Sequence, residues 1–377
     1  MKKILLALLT LTLLVLMSTF ILMPDKDIGS VFPGNNGSDA TTDTDARAEK
    51  ILEAMSLEEK AAQLLMVSCH SVGSAEAAAD FGVGGLCLYG FDFEGKSAEE
   101  VVEMNEYFQE LSDLPLIIST DEEGGSVHRV SNNPQLYPET FRSPGELRHA
   151  NGLTSAVIDA RAKCVLMENL GLNANLAPVC DVPLSETDYI YERCFSMDYD
   201  ECAEYISAVI TAMNDYRMGS VLKHFPGYGG STDTHSGISY DYRPYSAFKY
   251  GDLLPFEAGI EAGADAVMVS HNIVVCMDEH YPASLSPEVH RILREDLKFD
   301  GVIMTDDLAM GAILRFADGK NMVVQALLAG NDMVCCSDFE ESVDAIVAAV
   351  NDGTLTEEQI DESVLRVLKW KIDLGLI

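Results

Sequence analysis

The run Lys223-His224-Phe225-Pro226-Gly227-Tyr228-Gly229-Gly230-Ser231-Thr232-Asp233-Thr234-His235 gathers a lysine, two imidazoles and a carboxylate into one short stretch. It leaves an apolar segment, breaks at Pro226 and passes through three glycines, so it continues neither as strand nor as helix. Irregular loops that carry such groups are frequent sites of chemistry. Asp233 and His235 stand two residues apart, a spacing that puts both side chains on one face of an extended segment. A carboxylate placed there can hold an imidazole in one tautomer and raise its basicity. The competing reading is a solvated polar turn, and Asp-Thr-His alone does not decide between the two.

Chemistry in a loop needs rigid elements to position it. Apolar runs at residues 64–68, 85–89, 116–120, 174–178, 220–224, 266–270, 302–305 and 333–336 read as eight buried strands. Helical patterns fall between several of them, at residues 98–111, 155–170, 200–216, 253–262, 287–298 and 321–329. Ser56 with Glu59 and Ser97 with Glu100 form capping boxes, Ser286-Pro287 is an N-cap followed by a first-turn proline, and Thr356 with Gln359 starts a last helix. Strands that are apolar throughout, separated by helices, imply an α/β fold whose parallel sheet is covered on both faces. Eight such units predict a single (β/α)8 barrel, with a doubly wound open sheet as the alternative. In a barrel, function sits at the C-terminal ends of the strands. Polar clusters fall at those ends: Asp121-Glu122-Glu123-Gly124-Gly125, Asp181 with the later Glu192-Arg193-Cys194-Phe195, Lys223-His224, Ser270-His271-Asn272, and Asp306-Asp307.

The loop sequence resembles the signature of family 3 glycoside hydrolases, in their bacterial β-N-acetylhexosaminidase branch. That signature reads Lys-His-Phe-Pro-Gly-His-Gly and then Asp-Ser/Thr-His; Tyr228 stands where the family has its second His. Leu57-Glu58-Glu59-Lys60 followed by Gln63-Leu64-Leu65-Met66-Val67 resembles the entry into the family's catalytic domain, and the matching blocks span residues 47–377. Thr305-Asp306-Asp307-Leu308 resembles the family's Ser/Thr-Asp-Asp-Leu block, whose first Asp is the nucleophile; the resemblance implies that role for Asp306. Read locally, Asp306 could instead cap the following helix, a task for which Asp307 is better placed. Retaining glycosidases commonly use two carboxyl groups about 5–5.5 Å apart. The resembled branch departs from that scheme, which implies His235 as acid/base and Asp233 as its orienting partner; an imidazole that titrates near neutral pH suits both halves of the cycle. The resemblance further implies sugar contacts for Asp121, Arg193, Lys223 and His224. Cys194 departs from the family's Arg-Ser-Phe block. Arg129 matches a family arginine, with a structural ion pair as the alternative role, and Ser126 replaces another. His271 is expected to line or support the pocket.

Composition bounds the remaining possibilities. In 377 residues, 61 acidic side chains against 25 Lys and Arg give a net charge of −36, which repels nucleic acid and anionic lipid headgroups. Nine cysteines show neither C-x-x-C pairs nor a His/Cys metal spacing. They read as buried free thiols, although an oxidising compartment favours pairing. Lys2-Lys3 and the apolar run at residues 4–23 suggest a signal or anchor segment at residues 1–23 that places the rest of the chain outside the cytoplasm, anchored or secreted. Residues 24–45 read as a flexible linker, and residues 46–377 as the catalytic domain. Together these readings describe a monomeric, retaining exo-β-N-acetylglucosaminidase without metal or cofactor. Its carbohydrate substrate would be peptidoglycan fragments or chito-oligosaccharides. A phosphorylase or β-glucosidase of the same family, or a surface sugar-binding protein, are the alternatives. Residues 46–377 expressed alone are expected to give a soluble protein that releases chromophore from an aryl β-N-acetylglucosaminide. An insoluble or inactive product would refute that boundary.

Overall fold

The computed structural model describes residues 37–230, 237–314, 316 and 321–377. Its strands are β1 Leu65–Ser68, β2 Gly85–Leu88, β3 Ile117–Thr120, β4 Ala174–Asn175, β5 Gly219–Phe225, β6 Tyr240–Asp241, β7 Ala266–Val269, β8 Ile273–Val274, β9 Val302–Thr305 and β10 Val334–Cys336. Eight of them form one parallel sheet in the order β10-β1-β2-β3-β4-β5-β7-β9. The edge strands meet at the Met304–Met333 bridge, where the Thr305 amide donates to the Met333 carbonyl at 3.2 Å. The sheet thus curls into the expected (β/α)8 barrel, and all eight expected strands are members of it. β4 is shorter than the apolar run suggested because Pro178 has no N–H for the ladder; pairing resumes beyond it as an isolated Val179–Lys223 bridge. The short parallel pair β6–β8 was not foreseen.

Local sequence explains the helix starts. Ser56 accepts from the Glu59 amide at 3.2 Å while Glu59 accepts from the Ser56 amide at 2.7 Å. The same reciprocal pair starts the helices Ala98–Leu111 and Glu357–Asp373, satisfying amides that a bare helix end leaves unpaired. The linker expectation needs correction, because helix Gly37–Leu52 begins inside it. Ala48 and Leu52 lie one turn apart and are both buried, so packing fixes this helix from its C-terminal end. Residues 1–36, including the apolar run, lie outside the described residues. Among those described, no helix is long and apolar enough to cross a membrane. Eight cysteines are buried and free, and Cys276 is exposed.

The core has two layers. Met66, Cys87, Ile117, Met268, Met304 and Cys335 fill the barrel interior, joined by Val367 and Trp370 from the last helix. Trp370 reaches the start of β5, where a Cβ on Gly219 would lie 3.2 Å from the indole. The last helix therefore plugs the N-terminal mouth. A larger layer of aliphatic and aromatic side chains packs between the strands and the outer helices.

Asp332 secures the seam between β9 and β10. It is buried, accepts from the Ile303 amide at 2.8 Å, and pairs with Arg294 and, at 3.0 Å, with Arg366 of the last helix. Ser363 donates to it at 3.0 Å. Removing one member of a buried ion network leaves the others uncompensated, so Asp332→Ala should lower the unfolding free energy by ~3 kcal/mol. Urea denaturation should show this as a lower midpoint; an unchanged midpoint would mean that the seam holds without the carboxylate.

Candidate active site

The described polar residues converge at the C-terminal ends of the barrel strands. Chain direction alone carries Asp121, Glu122 and Glu123 off the end of β3, Lys223 and His224 along β5, His271 just past β7, and Asp306 immediately after β9. Adjacent residues of a regular strand point to opposite faces. Lys223 and His224 nevertheless both serve the site, because the register between β5 and β7 slips between Lys223 and Phe225 and such a bulge re-aims side chains.

A buried ion-pair network forms one wall. Lys223 Nζ lies 2.6 Å from both Asp121 Oδ1 and Glu123 Oε1. Arg193 grips Glu123 with two bonds, Nε to Oε2 at 2.9 Å and Nη2 to Oε1 at 2.7 Å. Burial opposes the charge on Glu123, but Lys223 and Arg193 hold its carboxyl well below the usual range. Burial likewise opposes the Lys223 charge, and Asp121 and Glu123 raise its pKa despite that. Arg129 approaches Asp121 at 3.8 Å, which supports the ion-pair reading of that arginine. Glu122 takes no part in the cluster; it is buried and accepts from the amides of Arg129, Val130 and Ser131, fixing the loop after β3. Glu123, held ionised by its two cations, is not poised to donate a proton.

His224 is held in one tautomer. Its Nδ1 lies 2.7 Å from Asp181 Oδ2, and its Nε2 lies 3.2 Å from Arg193 Nη2. A guanidinium only donates, so Nε2 accepts and Nδ1 carries the proton donated to Asp181. Asp181 also accepts from the backbone amides of His224 and Tyr228. The Tyr228 ring meets the His224 ring edge-on at 5.2 Å, so this departure from the family signature packs against the imidazole that Asp181 holds.

Asp306 stands across the barrel mouth from this wall and is half-buried. Burial works against its ionisation, yet His271, His224, the Asp307 amide and Lys223, in that order, outweigh it and keep the carboxyl below the ordinary aspartate range. His271 is itself buried and fixed, Nδ1 on Ser284 at 2.8 Å and Nε2 donating to the Asp307 carbonyl at 3.0 Å. Asp307 does not cap the next helix. It accepts from Ser68 of β1 at 2.7 Å and from the Ala309 amide at 2.8 Å, which pins the turn that presents Asp306. An ionised, half-exposed carboxylate is suited to nucleophilic attack.

The profile of the glycosyl hydrolase family 3 N terminal domain matches residues 56–370. The chain belongs to glycoside hydrolase family 3. Among relatives of this glycoside hydrolase, a beta-hexosaminidase of Nitrosomonas eutropha is 30% identical over 272 residues, covering 71% of this chain and 77% of the relative. A family 3 beta-N-acetylglucosaminidase from a Paenibacillus species superposes with a TM-score of 0.80 at 29% identity; the match covers 86% of this chain but 63% of that one. A family 3 glycosyl hydrolase from Mycobacterium smegmatis superposes with a TM-score of 0.77 at 30% identity, covering 85% and 98%.

Of the residues expected from the sequence, Asp121, Arg193, Lys223 and His224 come together in one hydrogen-bonded cluster, and Asp306 lies within electrostatic reach of Lys223. Asp233 and His235 lie outside the described residues. Sequence reasoning assigned no task to Glu123 and Asp181, the two acceptors that organise the cluster. Their position after barrel strands was a signal, but charge and position alone do not separate a buried ion-pair partner from a solvated acid.

The pH behaviour of Asp306 follows from its surroundings. Its depressed pKa keeps the Asp306 carboxyl ionised to lower pH than an ordinary aspartate. Replacing His271 with Gln removes the largest influence that favours ionisation of Asp306, so the pKa must rise. The acid limb of kcat/KM should then move to higher pH; a limb that stays in place would show that His271 does not set the charge of Asp306.

Proposed function

We propose that this family 3 enzyme is a retaining exo-β-N-acetylglucosaminidase acting on terminal β-linked N-acetylglucosamine in peptidoglycan fragments or chito-oligosaccharides. The observation that carries the chemistry is Asp306, held ionised at the end of β9 opposite Asp121, Lys223 and His224. The beta-hexosaminidase relatives support the sugar class.

In this reading the Asp306 carboxylate attacks the anomeric carbon while His235, oriented by Asp233, protonates the departing oxygen. The C–O bond to the aglycone breaks with its electron pair on that oxygen, and a glycosyl-Asp306 ester forms with inverted configuration. His235 then takes a proton from water, which attacks the anomeric carbon, releases Asp306 and restores the original configuration. Asp121 accepts hydrogen bonds from sugar hydroxyls, and Lys223 and His224 sit where they can reach the same hydroxyls. The buried Arg193–Glu123 pair holds these groups in place before substrate arrives.

A fluorinated aryl glycoside that slows the second step should leave one sugar on the intact protein, located on Asp306 by peptide mass analysis. Asp306→Asn should lower kcat by at least ~1,000-fold and abolish the label. Label on another carboxylate, or an inverted product, would refute the assignment. Release of sugar 1-phosphate when inorganic phosphate is present would assign the second step to phosphate instead of water.

A further inference from the structure

One charged cluster near the site is not used by the chemistry above. Arg243 sits between two buried carboxylates. It donates to Asp241 through Nε at 2.9 Å and Nη2 at 2.8 Å, and to Asp252 through Nη1 at 2.8 Å and Nη2 at 3.1 Å. Its guanidinium also lies over the Phe248 ring at 4.4 Å. This planar fork is locked on three sides.

Two glycines of the signature loop rest directly on the cluster. Gly227 has φ +118°, and a Cβ there would come within 2.8 Å of the Asp252 side chain. Gly229 has φ +50°, and a Cβ there would come within 2.3 Å of Arg243 Nη2. Both the backbone conformation and the close approach require glycine. On the far side of residues 231–236 the chain enters β6, whose Asp241 is the first carboxylate of the cluster and whose ladder to β8 is closed by Ile273 N to Ser239 O at 2.8 Å. The same guanidinium therefore touches the chain on both sides of the segment that carries Asp233 and His235.

We propose that Arg243, braced by Asp241 and Asp252, is a positioning residue for proton transfer, because it fixes both flanks of the loop that bears the acid/base dyad. The proposal rests on the assignment of His235 and Asp233 as that dyad. Arg243 does not touch substrate. Holding both flanks limits how far a group carried between them can shift, and displacements of about 1 Å at a catalytic group cost ~100-fold in rate.

The test measures kcat/KM for Arg243→Ala, Arg243→Lys, Asp252→Asn and His235→Ala on aryl β-N-acetylglucosaminides of graded leaving-group pKa, together with melting temperature. Arg243→Ala should lose ~100-fold on a phenyl glycoside and less than ~5-fold on a dinitrophenyl glycoside, which needs no proton to leave. Added azide, a nucleophile that needs no base, should accelerate its turnover. Arg243→Lys should recover part of the loss, and Asp252→Asn, which keeps the side-chain shape, should show the same leaving-group dependence more weakly. Equal losses on all leaving groups in the folded Arg243 and Asp252 variants, with His235→Ala remaining leaving-group dependent, would overturn the proposal and leave the dyad standing. If His235→Ala itself shows no leaving-group dependence, the dyad assignment falls and this proposal falls with it.

Discussion

The Glu123 carboxylate is the point on which the ion-paired wall of the site depends. It is buried with almost no access to water, and two cations from separate parts of the chain, Lys223 and Arg193, share its oxygens. An isolated charge at that depth would be strongly unfavourable, so the three groups are stable only together. Their association ties the loop after β3 to β5 and to the segment after β4. It also fixes what is left over: one oxygen of Asp121 is directed at Lys223, and Arg193 reaches His224 Nε2. The orientation of groups assigned to the sugar thus follows from satisfying a buried acid that never meets it.

The charge pattern across the mouth is asymmetric. On one side, carboxylates and cations neutralise one another in close contact. On the other, Asp306 has no such ion-pair lock among the described residues, and its charge is favoured by the His271 and His224 imidazoles, a backbone amide and the Lys223 ammonium. A nucleophile needs this second arrangement. A carboxylate bound tightly by arginine would be ionised but unreactive, whereas one stabilised at a distance keeps its lone pairs available for carbon.

Much of this was legible in the sequence, for identifiable reasons. The strands were readable because each is apolar on both faces, as burial between an inner core and a helical layer demands; Val302–Thr305 and Gly85–Leu88 are clear cases. Helix starts at Ser56, Ser97 and Thr356 were readable because capping is a local interaction. Helix Gly37–Leu52 was misread because its polar N-terminal half carries no core signal, and its C-terminal half is held by tertiary packing of Ala48 and Leu52. Site residues could be located by the rule that barrel strands end in function, but their pairings could not. Lys223 with Glu123, and Arg243 with Asp252, depend on side-chain meetings in space that no spacing reveals.

The plug at the N-terminal mouth bears on how the protein is made. Trp370 and Val367 complete the barrel interior, and Ser363 and Arg366 of the same helix hold the Asp332 carboxylate at the closing seam. These residues leave the ribosome long after β1, which pairs with β10. During synthesis the early strands must wait with one edge unpaired and the interior open at its base. Closure of the barrel therefore waits on the helix Glu357–Asp373: it can be completed only once that helix has emerged.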